Sequence, residues 1–450
     1  MQEITQRRKL YPVLILLIVF LAVTAGYLAL LKQQREPTPK TEKEQLTAVQ
    51  PKEKPSHLAD LGQQPDWTTL DLWQDTITRD DFFHLLTEVY TTDDTWKRYI
   101  SIHSDHAIIR TDSTQPGATY RLNFASVISE ASPARNWTSV GELPPGTREK
   151  PLAGVHIAID PGHIGGDFAK LEERWFQIGE GNPVKEGDMT LLTGQIIKRK
   201  LIGLGARVYL IRGSNSPVNP RRPADYREAA LAKAQSMGKG DEETTTYYQN
   251  KFFYRTGEIR ERARRVNLAF NPDLVLCLHY NAEAWNDPND PTLTEKNHYH
   301  VLLHGALTSD EISHDDERFE MLMKILQRSH EEEKAMGMYI AHSLGATTKL
   351  PPYEYENAGH RARKVEDIPG LWLRNLLANR IYQCPVIFLE PYVMNNQEVY
   401  ERIQLGDYKG TKPVNGVDKR SIYREYAEAV VTALKEYYLD YRIIYEPPGS

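Results

Sequence analysis

Four polar residues have the types and settings that metal-assisted acid–base chemistry needs: His163, Glu186, His279 and Glu390. Two imidazoles and a carboxylate form a common catalytic zinc set, with a fourth position left open for water. A further carboxylate in reach can take that water's proton. Three of the four stand just after short apolar runs. Val155–Ile159 leads into His163, Leu274–Leu278 into His279, and Pro385–Leu389 into Glu390. Glu186 stands just before the first long helical pattern. Each has a plainer account alone: a loop histidine satisfied by its neighbours, or a favourable negative charge at a helix N-terminus. Four such groups at corresponding places are harder to explain that way.

The elements that must position them alternate. After strand Val155–Ile159 comes a helix with Met189, Leu191, Leu192, Ile196, Ile197, Leu201 and Leu204 on its buried side, closed by Gly205, and then strand Arg207–Ile211. Strand, helix and strand within so short a span form a βαβ unit, which implies a parallel sheet. Helix Arg260–Phe270 leads to strand Leu274–Leu278, a helix near Leu371–Asn379 leads to strand Pro385–Leu389, and a last helix spans Ser421–Tyr438. Residues 152–445 therefore read as an α/β domain with an open, mostly parallel sheet and helices on both faces. Sites in such sheets lie at the carboxyl ends of the strands, where His163, His279 and Glu390 fall.

Residues 59–148 read as a small α+β domain. Thr78 and Asp81 have capping-box spacing ahead of a stripe of Phe82, Phe83, Leu85, Leu86, Val89 and Tyr90. Strands Tyr99–His103, Ala107–Thr111 and Tyr120–Phe124 follow, and no catalytic constellation is present. The 144-PPGTREKP-151 stretch marks the boundary. Residues 10–31 carry no charge over 22 positions and follow Arg7, Arg8 and Lys9. At 1.5 Å per residue this is ~33 Å of helix, enough for a hydrocarbon core of about 30 Å. With the basic cluster held inside, it reads as a single-pass anchor in the cell (inner) membrane. The remainder then lies on the extracytoplasmic, periplasmic side. A cleaved signal peptide, cut near Val23-Thr24-Ala25, is the competing reading. Residues 32–58 form a polar, disordered linker.

The chain has 450 residues, 55 basic and 61 acidic side chains, and a net charge of −6. That balance excludes a generally basic nucleic-acid binder, so no nucleic-acid partner is expected. Two cysteines, Cys277 and Cys384, make no disulfide framework and sit in apolar runs as small buried hydrophobes.

The motifs resemble those of the zinc-dependent N-acetylmuramoyl-L-alanine amidases. The Asp-Pro-Gly-His strand end of that family is matched by 160-DPGHIGG-166. Its helix-opening Glu and following Gly-x-x-Val-x-x-x-Arg are matched by Glu186 and 205-GARVYLIR-212. Its His-x-Asn-Ala element, preceded by a helical Arg and Asn, is matched by 279-HYNA-282 with Arg262 and Asn267. Its Glu-x5-Asn turn is matched by 390-EPYVMNN-396. The matches fall in the family's order across roughly residues 154–440. The resemblance implies one Zn²⁺ held by His163, Glu186 and His279, with Glu390 as general base. It also implies peptidoglycan as substrate and cleavage of the amide between N-acetylmuramic acid and L-Ala. Asn281 and Asn396 are candidates to orient ligands or substrate. Alternatives are another zinc hydrolase of the wall, a peptidase or deacetylase, or a non-catalytic wall-binding regulator on the same fold.

The chain departs from the family pattern in three places. Ile164 replaces a usual glycine and would crowd the approach beside His163. The Gly213–Glu258 and Glu283–Gly370 connections are long. Some relatives carry a helix in the second that blocks the metal until a partner protein removes it. The acidic Asp315–Met336 segment reads either as such a helix, with a protein activator implied, or as an ordinary solvated one. His298, His300 and His304 share one face of a strand through Tyr299–Leu303 and read as packed or solvent-facing histidines. The 330-HEEEK-334 segment lacks the second histidine of a zincin helix.

Overall fold

The computed structural model describes residues 57–128, 134–356 and 359–445. The run at residues 10–31 and most of the linker lie outside the described residues. No described helix is long and apolar enough to cross a membrane.

Near the start, α1 (Arg79–His84) is capped by Thr78, whose hydroxyl accepts the Asp81 amide at 3.2 Å. The helix runs on as a wider turn through Tyr90. Phe82, Leu85, Leu86, Val89 and Tyr90 are buried, whereas Phe83, expected on the same stripe, faces solvent. Strands β1 (Ile100–Ile102), β2 (His106–Arg110) and β3 (Thr119–Asn123) form an antiparallel meander.

The next region opens with β4 (His156–Pro161), α2 (Glu186–Gly203) and β5 (Arg207–Leu210). Gly205, at φ +98°, makes the turn from α2 into β5, a conformation that a β-carbon disfavours. The long Gly213–Glu258 connection holds a helical pair, α3 (Arg227–Ser236) and α4 (Glu242–Lys251), before α5 (Glu258–Arg265). Then come β6 (Leu274–Leu278) and β7 (Tyr299–Leu303), α6 (Asp315–Gln327) and α7 (Ser329–Thr348). The chain finishes with β8 (Arg363–Lys364), β9 (Leu371–Leu373), α8 (Leu377–Ile381), β10 (Val386–Pro391), α9 (Gln397–Gln404) and α10 (Ile422–Tyr441).

Seven strands form the central sheet in the order β8-β9-β7-β10-β6-β4-β5. The run β5, β4, β6, β10 is parallel throughout, as is β7 with β9. The β10–β7 and β9–β8 pairs are antiparallel. The fold is thus a mixed α/β arrangement around a mostly parallel sheet. Helices α2, α7 and α10 cover one face through Ile197, Leu344 and Val430, and α5 and α8 cover the other through Ala263 and Ile381. With both faces covered, β6 is buried at every position. Cys277 and Cys384 are free and buried.

Two expectations change. Leu371–Leu373 is not the start of a helix but β9, because a buried apolar triplet does not reveal its period. The Asp315–Met336 segment is neither one helix nor a solvated one. The chain breaks at Arg328, which takes φ +53°, and α6 is largely buried. Its charges are matched in place: Arg380 meets Glu317 at 3.1 Å and Glu320 at 2.6 Å, and Lys324 donates to the Cys384 carbonyl at 2.6 Å.

The described residues form one compact unit, and the 59–148 region shares its core. The Trp67 ring meets Phe319 of α6 edge-on at 5.2 Å, and the Ala306 and Leu307 amides donate to Val89 and Tyr90. The 144–151 stretch is pinned to the C-terminal segment by Arg442, which donates to the Pro144 and Pro151 carbonyls. The tightest join is Arg318 of α6. Its buried guanidinium pairs with Asp315, donates to the Arg110 carbonyl of β2 at 2.9 Å, and stacks over Tyr99. Arg318→Ala would leave Asp315 buried without its cation, a change that typically costs about 3–5 kcal/mol. The midpoint of chemical denaturation should fall accordingly, and an unchanged midpoint would show that this join does not stabilise the unit.

Candidate metal centre

The site begins with a backbone constraint. After β4 the chain must turn sharply, and His163 does so in the left-handed region at φ +58°, followed by Gly165 and Gly166 at +75° and +57°. A non-glycine residue held there implies that its surroundings over-determine it. Arg262 of α5 donates to the carbonyls of Pro161 at 2.9 Å and His163 at 2.8 Å, and pairs with Asp160 at 2.8 Å. Tyr382 closes on the other Asp160 oxygen at 2.5 Å. The turned-in amides of Ile164 and Gly165 are collected by the buried Glu172 carboxylate, and that of Gly166 by Asp188 at 2.6 Å. Ile164 is wholly buried and does not line the cleft, so it leaves the approach to His163 open.

Glu186 opens α2, with its carboxylate only 2% exposed. His163 Nε2 stands 3.1 Å from one oxygen, and His279 Nδ1 stands 3.0 Å from the other. The Tyr280 amide donates to it at 3.2 Å, and Arg174 Nε lies 3.3 Å away. Burial alone would raise its pKa, but the facing His163 and His279 outweigh burial and hold it well below the ordinary carboxylate range. The same balance acts on His163: burial opposes the charged form, yet Glu186 and Glu172 lift it to about 9. Ligand atoms of His163, Glu186 and His279 all lie within 4.8 Å of one another, which fits a divalent ion taking nitrogen and oxygen donors.

Both imidazoles are fixed from behind. His163 Nδ1 lies 3.6 Å from Glu172, the carboxylate-behind-imidazole pattern that sets ring orientation in metal sites. The His279 ring is held between Phe388, stacked at 4.3 Å, and the backbone of Gly162. A β-carbon on Gly162 would fall 2.3 Å from His279 Cε1, so only glycine leaves room for the ring. Arg212, at the end of the Gly-x-x-Val-x-x-x-Arg match, is buried and donates to the Gly187 carbonyl at 2.8 Å, joining β5 to the start of α2.

A cleft of about 380 Å³ opens over this centre, lined by His163, Arg174, Glu186, His279, Asn281, Trp285 and Glu390 among others. Glu390 thus shares the cleft with the three clustered residues. Asn281 lines it too, and its main chain pairs with Tyr392 and Met394. Asn396 does not line it. Its side-chain oxygen caps α9 by accepting the Val399 amide at 3.1 Å, and its amide holds the Thr294 and Glu295 carbonyls. Neither α6 nor α7 lines the cleft, so the Asp315–Met336 segment does not block it.

No protein-family model matches the chain, and no curated protein matches it. Solved structures similar to it include N-acetylmuramoyl-L-alanine amidases. Ami1 from Mycobacterium abscessus is 19% identical, over 63% of this chain and 99% of its own, with a TM-score of 0.34. CwlD from Clostridioides difficile, solved with the GerS lipoprotein, is 12% identical over 62% and 96%, with a TM-score of 0.36. The catalytic domain of CwlV from Bacillus (Paenibacillus) polymyxa var. colistinus is 12% identical over 64% and 98%, with a TM-score of 0.33.

Three residues around the centre escape a reading of motifs. Glu172 and Arg174 sit in an irregular loop with no pattern to mark them. His300 stands on β7, whose histidines read as packed. All three even-numbered histidines there are indeed buried, at 7% exposure or less. His298 and His304 make no hydrogen bond, but His300 Nε2 lies 2.5 Å from Glu390 Oε2, a close polar contact rather than a well-aligned hydrogen bond. Burial would raise the Glu390 carboxyl, and His300 beside it outweighs burial and lowers it.

Gly162→Ala should displace His279, since Phe388 blocks retreat on the ring's far face. Glu172→Gln should loosen His163. Each is expected to weaken binding of a divalent ion by ~10–100-fold, read by competition with a chromophoric chelator, while circular dichroism stays native. Wild-type affinity in both variants would remove the metal assignment from this cluster.

Proposed function

We propose that the chain is a zinc-dependent peptidoglycan hydrolase cleaving the amide between N-acetylmuramic acid and the L-Ala of the stem peptide. The observation that carries this reading is the convergence of His163, Glu186 and His279 within 4.8 Å in a cleft that Glu390 also lines. The motif order, from 160-DPGHIGG-166 to 390-EPYVMNN-396, supports the choice of amide over other bonds.

His163 Nε2, His279 Nδ1 and a Glu186 oxygen would supply three ligands to Zn²⁺. When bound, the ion supplies Lewis-acid activation of water and of the substrate carbonyl. Glu390 takes the proton of the attacking water at its carboxylate and gives a proton to the departing amine. The water oxygen then becomes part of the new lactyl carboxylate, the carbon–nitrogen bond breaks, and the stem peptide leaves with a free L-Ala amino group. Glu172 keeps His163 oriented, and Arg262 holds the loop that carries it. The reading includes an extracytoplasmic site tethered to the membrane through residues 10–31, with peptidoglycan as the partner met there.

Incubation of the full-length protein with purified peptidoglycan, followed by mass spectrometry, tests the reaction. Stem peptides beginning with L-Ala should appear, vanish with chelator and return with zinc. Fragments cut within the peptide would reassign the chain as a peptidase, and loss of acetyl groups would reassign it as a deacetylase. Glu390→Gln should keep its zinc and lose ~10²–10⁴-fold in turnover, whereas His163→Ala should lose the metal. Near-native turnover in Glu390→Gln would exclude Glu390 as the base.

A further inference from the structure

We infer that His300 is a positioning residue for Glu390, holding one oxygen of its carboxylate so that the other is presented to the cleft. The inference rests on the reading of Glu390 as the proton acceptor. Its physical basis is strand register. The β7 strand runs antiparallel to β10, and the pairing sets His300 directly opposite Glu390. Side chains of such a pair project to the same face of the sheet, here the face that also carries Leu302 opposite Phe388. His300 is 2% exposed, and its Nε2 approaches Glu390 Oε2 to 2.5 Å. Among the described residues, it is the one side chain in close polar contact with the Glu390 carboxylate.

Packing alone does not account for an imidazole here. His304, just past the end of β7, lies against Tyr90 at 5.4 Å between rings, with neither nitrogen reaching a partner. His298, stacked on His300 at 5.9 Å, likewise touches no acceptor. His300 differs from both in facing a carboxylate. The ring is itself confined: Tyr353 packs on it at 4.9 Å between centroids and Tyr355 at 6.1 Å. Tyr355 is tied in turn by Arg374, which donates to its hydroxyl at 3.2 Å. A glutamate has three side-chain torsions, and a base must hold its oxygen in one place when the proton moves. A misplacement of about 1 Å can cost ~10²-fold in rate. His300, fixed by its aromatic neighbours, removes that freedom from the inner side, where it does not compete with substrate.

The test uses the full-length protein and a soluble N-acetylmuramoyl-peptide substrate. His300→Ala should lower kcat by ~10–100-fold, with KM within about twofold of wild type and bound zinc unchanged. His300→Gln, which keeps a donor at similar reach, should recover most of the loss. In a Glu390→Gln background, His300→Ala should cost nothing further, because two residues acting through one group are not additive. A kcat for His300→Ala within twofold of wild type would overturn the inference. So would equal losses in the Ala and Gln variants with a matching drop in thermal stability. Should wild-type protein release no stem peptide, the proposed function fails and the pairing is read directly. The ring ¹⁵N shifts of His300 should then move on Glu390→Gln while those of His304 stay fixed, and unmoved His300 shifts would overturn the pairing.

Discussion

The constraint to which the rest of the site answers is an ionised carboxylate, Glu186, buried at the head of a helix. A buried charge without partners is far too costly to keep, so the fold must bring cations and donors to it from elsewhere in the chain. Two imidazoles come from the carboxyl ends of β4 and β6, a guanidinium from the loop at Arg174, and an amide from Tyr280. The start of α2 adds the favourable end of its dipole. These donors come from three separate stretches of chain, the ends of β4 and β6 and the Arg174 loop, which is why the neighbouring loops are so fully pinned. The strained His163 turn is locked by Arg262 and Glu172, and the His279 ring is held against the bare backbone of Gly162. An arrangement that already collects two imidazoles around one carboxylate is also one that a divalent ion completes with little rearrangement.

The long connections serve this stiffness. The Glu283–Gly370 segment lines the cleft at its start, where Trp285 lies, and then supplies strand β7 and helices α6 and α7 to the layers of the fold. Through Arg318 and the matched charges of α6 it also fastens the 59–148 region to the same core. The Gly213–Glu258 segment forms a helical pair whose Tyr226, Phe252 and Phe253 pack with Phe168, five residues beyond His163. That cluster braces the flank of the His163 turn.

The parallel part of the fold is legible in the sequence because its cause is local. Leu274–Leu278 declares a strand by its short apolar run set between turns, the stripe from Met189 to Leu201 declares a helix by its period, and Gly205 declares where α2 must stop. His163, His279 and Glu390 follow from the rule that parallel strands deliver their carboxyl ends to one edge. What could not be read was set by contacts distant in the chain. Leu371–Leu373 looks the same whether it is strand or helix, and its pairing with β7 decides. The merging of residues 59–148 into the main core depends on Arg318 meeting Arg110, more than two hundred positions away. Glu172 carries no motif, since its task is defined only by the amides that the His163 turn exposes.

His300 belongs to this second class, and the reason is instructive. Looking for function at the carboxyl ends of strands assumes that every strand near the site runs the same way. Here β7 runs against β10, so its amino end lies at the active edge, and a residue at the start of a strand faces one at the end of its neighbour. The reversal of β7 therefore lets the sheet place a supporting group directly behind Glu390. In an all-parallel sheet the same position would belong to another strand's carboxyl end, which turns outward into a loop. The reversal gives Glu390 a rigid partner built into the sheet itself, more confined than a loop residue can be, and leaves the loops around the cleft free to shape what enters it.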